Sequence, residues 1–155
     1  MSDYHLAQIN IGRLVAPAGD PQVAAFFAQL DEINELAEKS PGFIWRLQSD
    51  SGNATDIPYN EDPTLLVNMS VWETLESLKA FTYQSRHLQV FRQRRDWFQK
   101  MSQPHYCLWW VPAGHTPSVT EGRERLERYT QFGSTPESFW FSEPFPAPVL
   151  EAQPV

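Results

Sequence analysis

A strand that ends in tryptophan and passes directly into a helix constrains this chain more than any other stretch. Leu65 to Trp72 (LLVNMSVW) is almost continuously apolar, and Glu73 to about Lys100 reads as helical, a break near Thr82–Ser85 being the alternative. One histidine, His87, falls inside that helical region. The pattern demands a sheet with a helix laid back across it.

The rest of the chain repeats the arrangement. Tyr4 to Val15 opens with β-compatible apolar residues and reads as the first strand. Asp20-Pro21 places a capping carboxylate before a proline suited to a first helical position. Val23, Phe26, Phe27, Leu30, Ile33, Leu36 and Ala37 then follow at spacings of three and four, an apolar helical stripe that Ser40-Pro41-Gly42 ends. Phe43 to Gln48 alternates as a short strand with Arg46 and Gln48 on one face. Ser49 to Thr64 is rich in turn residues and is expected to be an exposed connection. Tyr106 to Pro112 is a fourth strand with Trp109 and Trp110 on opposite faces. The order βαββαβ is that of a ferredoxin-like α+β unit spanning residues 4–112. Beyond it, Ser118 and Glu121 have the spacing of a capping box that opens a further helix, which carries Leu126 and Tyr129 on one face and stops at Gly133. The tail from Thr135 holds Phe139, Trp140, Phe141 and Phe145, an aromatic load expected to pack against the barrel or a partner subunit. Residues 1–155 therefore read as a single domain, with 113–155 as a C-terminal helix and tail.

Bulk properties exclude several classes. The net charge of −7 gives no favourable electrostatic term toward nucleic acid or an anionic membrane. Cys107 is the sole cysteine, so neither an internal disulfide nor a cysteine zinc site is available. His105 and His115 lack metal-ligand spacing, and no glycine loop or dinucleotide fingerprint occurs. No metal or nucleotide cofactor is implied. The N-terminal decapeptide has no secretory pattern and no apolar run approaches the ~18–20 residues of a membrane span, so a cytoplasmic location is expected. Aromatics amount to 14% of the residues, six of them Trp and ten Phe, more than a minimal core requires; a large pocket or a subunit interface is the natural use.

Two resemblances bear on function. The segments LAQIN at 6–10, SPGFIWRL at 40–47, LWWVPAGHTP at 108–117 and GSTPESFWF at 133–141 resemble an uncharacterised bacterial family of unknown function. The strand–Trp–helix run VSVWETLESLKAF followed by His87 makes the inner region similar to the dimeric α/β-barrel superfamily. That group includes antibiotic-biosynthesis monooxygenases, haem-degrading monooxygenases and a plant polyketide cyclase. The resemblance implies a homodimer built by pairing two sheets, with a pocket between sheet and helices in each protomer.

It also implies site residues. In the cyclase pattern His5 and His87 surround the substrate, and Tyr83 lies four residues before His87 on the same helical face. In the haem-degrading pattern His87 and Asn10 match, while Phe81 stands where a tryptophan is expected. Strand alternation sets His5 on one face and Asn10 on the other, so the two patterns compete. The expected chemistry is proton abstraction by His87, with Tyr83 or Asn10 holding the developing oxyanion of a hydrophobic, aromatic or polyketide-like substrate. Cofactor-free oxygenation, cyclisation or isomerisation are the outcomes open. Trp72, Arg46, Asn68, Phe81, Phe91, Arg94 and Trp109 are candidate substrate contacts, and Gln8 and Ser70 are further polar strand residues that could join them on one face. A non-catalytic binding or stress-response protein and a haem-binding monooxygenase are the alternative readings.

Overall fold

The computed structural model describes residues 3–17, 19–50, 52, 54–83 and 93–148, with Arg95 described through its backbone alone. Strand β1 (Tyr4–Arg13) leads through a single 3₁₀ turn (Pro21–Val23) into helix α1 (Ala24–Glu38). Strands β2 (Phe43–Arg46) and β3 (Leu65–Trp72) follow, then helices α2 (Leu75–Thr82) and α3 (Arg94–Trp97). Strand β4 (Tyr106–Pro112) and helix α4 (Val119–Phe132) complete the described elements. The four strands form one antiparallel sheet in the order β2-β3-β1-β4. With helices following β1 and β3, that order is the ferredoxin-like βαββαβ topology.

Local chemistry accounts for the element boundaries. The Asp20 carboxylate accepts from the Gln22 amide at 2.8 Å, and Pro21 supplies the fixed φ of a first helical residue. Helix α2 starts at a reciprocal cap: Ser77 N donates to Thr74 Oγ1 at 3.0 Å and Thr74 N donates to Ser77 Oγ at 3.2 Å. At α4, Ser118 Oγ accepts from Glu121 N at 3.1 Å, but the return half of the expected box is missing. The Glu121 carboxylate instead binds Trp109 Nε1 at 2.8 Å and His115 Nε2 at 2.7 Å, which ties the helix start to β4.

The helix expected to run to about Lys100 is shorter in both described parts. It ends at Thr82 on one side, and α3 gives way to extended backbone at Phe98 on the other. Tertiary contacts set that second boundary. Phe98 forms a β-bridge with Leu14, Gln99 N donates to Arg13 O at 2.8 Å, and the Phe98 ring lies so close to Gly12 that a Cβ there would sit 2.6 Å from it.

The two faces of the sheet carry different cores. On one face Ile9, Met69, Val71, Cys107 and Trp109 pack against Leu126 and Tyr129 of α4. Gly122 lets α4 approach: a Cβ at that position would lie 2.8 Å from Ile9 Cδ1. The connection from Ser49 to Thr64, expected to be exposed, tucks Tyr59 beneath the same helix, and Arg123 Nη1 donates to the Tyr59 carbonyl at 2.9 Å. Ile9, Met69 and Trp109 each retain 0% exposure within the one chain. A sheet-to-sheet dimer, expected from the sequence, therefore meets a face already closed by α4.

The other face lies under α1 and α2. There Trp72, Leu6 and Leu108 pack with Phe139, which pairs with the outer edge of β4 through Leu108 N to Phe139 O at 2.8 Å and Phe139 N to Leu108 O at 2.9 Å. The tail thus covers a sheet edge, as unpaired strand edges require. Trp110 Nε1 donates to the Phe145 carbonyl at 2.9 Å and continues the same seam. Among the described residues no helix is long and apolar enough to cross a membrane.

Candidate functional site: an amide ladder beneath an aromatic cavity

The apolar stripe of α1 does not close onto the sheet. Phe26, Leu30 and Ile33 are only half-buried, because a cavity of about 450 Å³ lies between them and the sheet. That size falls in the range of small-molecule sites, roughly 300–1,000 Å³. Its walls are aromatic: Trp72, Phe81, Trp97, Phe98, Tyr106 and, from the tail, Trp140 and Phe141. The tail therefore lines the cavity of its own chain. The Trp140 ring lies with its centroid 3.9 Å from that of Tyr106, and Phe141 stands 4.8 Å from Trp140.

Sheet register builds the polar floor. Successive rows across β3, β1 and β4 read Trp72–Leu6–Trp110, Ser70–Gln8–Leu108 and Asn68–Asn10–Tyr106. Gln8 Nε2 donates to Asn68 Oδ1 at 2.7 Å and to Ser70 Oγ at 2.8 Å. Asn10 Nδ2 donates to Gln8 Oε1 and to Asn68 Oδ1, both at 3.1 Å. Trp72 Nε1 donates to Ser70 Oγ at 2.8 Å. Each carboxamide is held by its neighbours, so the ladder is an ordered set of neutral dipoles. Among the described contacts the Asn10 carbonyl and the Asn68 amino group remain available to a ligand.

Two cations reach the wall and no described carboxylate does. Arg46, opposite Ser70 in the β2–β3 register, donates through Nε to Glu38 Oε1 at 2.7 Å. Arg94 is half-buried and its guanidinium lies 5.5 Å from the Phe98 ring centroid. Burial disfavours its charged form and lowers its pKa from the ordinary value, with Tyr106 acting in the opposite sense. His105, stacked edge-on against Tyr106, falls to about 4, first through burial and then through the charge of Arg94. Among the described residues, no three His, Cys, Asp or Glu side chains gather as a metal-binding group.

The sequence-derived candidates sort by face. Asn10, Asn68, Arg46, Trp72, Phe81, Tyr83 and Arg94 all line the cavity. Tyr83 is exposed and packs against Phe141 with ring centroids 6.2 Å apart. His87 and Phe91 lie outside the described residues. His5 does not reach the cavity: it lies on the strand face shared with Ala7 and Ile9, opposite Asn10, and its Nδ1 is buried without a hydrogen-bond partner among the described residues. Strand alternation places Asn10 on the cavity face and His5 on the other. Trp109 is likewise on the α4 side, where its indole binds Glu121 and cannot meet a ligand in this cavity. Tyr106 is not among the sequence-derived candidates, and Trp140 and Phe141 were expected only to pack against the barrel or a partner subunit. The first follows from its pairing with Asn10, a register that the sequence does not state.

The protein is a ferredoxin-like α+β fold in which an aromatic-walled cavity lies over a polar sheet face. The chain belongs to the family described as "Domain of unknown function (DUF3291)", whose model matches residues 5–154. No curated protein matches it. Solved structures of similar shape include a Nitrosomonas europaea protein described as a candidate antibiotic biosynthesis monooxygenase, at 14% identity and TM-score 0.48, covering 76% of this chain and 97% of that one. SnoaB, a cofactor-independent oxygenase from Streptomyces nogalater, is similar at 14% identity and TM-score 0.45, with 74% and 97% covered. Rv0793 from Mycobacterium tuberculosis is similar at 15% identity and TM-score 0.47, with 74% and 99% covered. These likenesses concern backbone shape; the ferredoxin-like assignment stands on the strand order itself.

Proposed function

We propose that the protein is a small-molecule enzyme that acts by acid–base chemistry on an enolisable aromatic substrate held in the cavity. The observation that carries this reading is the Gln8–Asn10–Asn68–Ser70 ladder. Polar side chains under an aromatic roof are costly unless paired, and here they are paired with one another while still facing the cavity. Such preset dipoles suit a carbonyl oxygen that gains charge as a neighbouring C–H proton leaves. The base is His87, tethered four residues beyond Tyr83; the oxyanion is held at Asn10 or Tyr83.

Oxygenation is the reaction this arrangement suits best. For a tricyclic ketone such as anthrone, the base removes a proton from the central methylene, and the ring carbanion passes an electron to dioxygen. Recombination forms a carbon–oxygen bond, and loss of water leaves anthraquinone: anthrone plus O₂ gives anthraquinone plus H₂O. The test is oxygen uptake with anthrone. Protein should accelerate it, and Asn10→Ala should slow it by about 10²-fold if the ladder stabilises the enolate. Unchanged turnover in a folded His87→Ala variant would remove the acid–base assignment.

One observation favours a second reading, ligand binding without catalysis. Among the described residues lining the cavity there is no Asp, Glu, Lys or His. Anthrone that quenches tryptophan fluorescence but is not consumed would select it. Homodimerisation, also expected from the sequence, must use another surface or displace α4; sedimentation velocity reads the state directly.

A further inference from the structure

We infer that the cavity takes a neutral aromatic lactam, a cyclic amide whose adjacent N–H and C=O pair with Asn10 and Asn68. This deepens the proposed function and rests on its premise that the cavity is a ligand site. Three carboxamides of the ladder meet one another pairwise. Gln8 Nε2 lies 2.7 Å from Asn68 Oδ1, and Asn10 Nδ2 lies 3.1 Å from both Gln8 Oε1 and Asn68 Oδ1. Turning any one or two of these amides end for end sets donor against donor or acceptor against acceptor. Only turning all three together restores the bonds, with the Ser70 hydroxyl, 2.8 Å from the Gln8 amide, then donating to it.

That lock fixes what the outer edge presents. As arranged, the ladder engages Asn10 through its amino group and Asn68 through its carbonyl. The Asn10 carbonyl and the Asn68 amino group are left for a ligand. With all three amides turned, the two roles exchange. Either way the pair offers one acceptor and one donor, never two of a kind. The two residues are direct partners across β1 and β3, and both line the cavity.

A ligand that satisfies both must carry a donor beside an acceptor on one edge. A lactam does so, with N–H and C=O on neighbouring ring atoms and too poorly aligned to bond to each other. A hydroxyl beside a carbonyl closes on itself and withdraws its proton from the edge. A carboxylate has no donor, and a lactone sets its second acceptor against the acceptor of the pair. The walls call for an aromatic body. Tyr106 neighbours Asn10 in the β1–β4 register, and its ring centroid lies 3.9 Å from that of Trp140. A flat ring fused to the lactam meets that surface.

The experiment compares 2-quinolone with coumarin, fused bicyclic rings of the same outline in which a ring oxygen replaces the lactam N–H. Calorimetric titration of the unmodified protein should show 2-quinolone binding ~10-fold or more tighter, because coumarin forfeits one hydrogen bond and leaves an acceptor unpaired. Asn10→Leu and Asn68→Leu should each bring the two ligands within about twofold by weakening 2-quinolone. Losing either asparagine releases the lock, and the single outward amide then turns to suit either ligand. Arg128→Gln, a surface cation beside Phe132, should leave the preference intact. Should neither leucine variant fold, 1-methyl-2-quinolone takes their place: capping the N–H should cost the same ~10-fold in the unmodified protein. Equal affinities for 2-quinolone and coumarin, a preference that survives both substitutions, or undiminished binding of the methylated lactam overturn the inference. Anthrone binding with both bicyclic probes silent also overturns it and spares the cavity as a ligand site. Silence of all these probes sinks the proposed function as well.

Discussion

Ser70 Oγ accepts two hydrogen bonds at 2.8 Å, one from the indole of Trp72 and one from the carboxamide of Gln8. One hydroxyl thus joins the aromatic core to the amide ladder, and the strand that carries it contributes both Trp72 and Asn68. Replacing it with alanine leaves the fully buried Trp72 indole without an acceptor, whereas Gln8 keeps Asn68. Ser70→Ala should lower stability by about 2 kcal/mol, the cost of one unpaired buried donor plus part of a second bond. Urea unfolding checks this: the midpoint should fall with the slope unchanged. A variant as stable as the parent would show that the indole finds another partner.

Gly122 carries a comparable constraint on the other face. A Cβ there meets Ile9 Cδ1 at 2.8 Å and Met69 Cε at 3.1 Å, both side chains being buried under α4. Gly122→Leu should cost about 1–3 kcal/mol by overpacking. Gly122→Ala should cost less, because the ends of two flexible side chains can shift and alanine gains about 1 kcal/mol of helix propensity over glycine. Thermal unfolding of the two variants should rank them in that order. Equal losses would mean that backbone approach, and not side-chain bulk, is limiting.

Protonation of His105 should couple stability to pH. Its pKa falls from 6.5 in an unfolded chain to about 4 in the fold, mainly through burial and then through Arg94. Below 6.5 the unfolded chain takes up a proton that the folded chain refuses. The corresponding stability is therefore complete above 6.5 and is lost as the pH drops toward 4. His105→Gln should flatten the stability profile across that window relative to the parent. Identical slopes in both proteins would assign the acid sensitivity elsewhere.

Cys107 should be inert in the folded state. It lies at 0% exposure on β4, and burial pushes its thiol up to about 12, so almost no thiolate exists at pH 8. Labelling by a disulfide reagent should wait for unfolding and follow the same denaturant dependence as the global transition. Rapid labelling in buffer would reveal a local opening of β4 or α4.

Periodicity and punctuation accounted for the elements that stand on local chemistry. Asp20-Pro21, Ser40-Pro41-Gly42, Ser118 and Gly133 mark boundaries through caps and turns within a few residues, and the βαββαβ order follows from them. The polar candidates Asn10, Asn68 and Arg46 were readable because polar residues interrupt strands otherwise rich in apolar groups. Other features were not readable, each for a stated reason. His5 and Trp109 lie on the face away from the cavity because a one-residue alternation decides which face a side chain serves. The end of α3 at Phe98 depends on the gap above Gly12, a contact between residues 86 positions apart. Tyr59 was hidden in a segment whose composition signals only turns.

Local composition and spacing were enough to set the helices, the strands, their order and the polar character of two inner strands, since each depends on groups a few residues apart. Tertiary structure alone decided which face α4 closes, that the aromatic tail lines the cavity of its own chain, and that α1 stands off the sheet to leave that cavity open. Those outcomes depend on strand register and on where bulky side chains find room, as with the Gly122 approach to Ile9 and the Leu108–Phe139 edge pairing. Such contacts join residues distant in the chain, whose mutual placement no local pattern encodes.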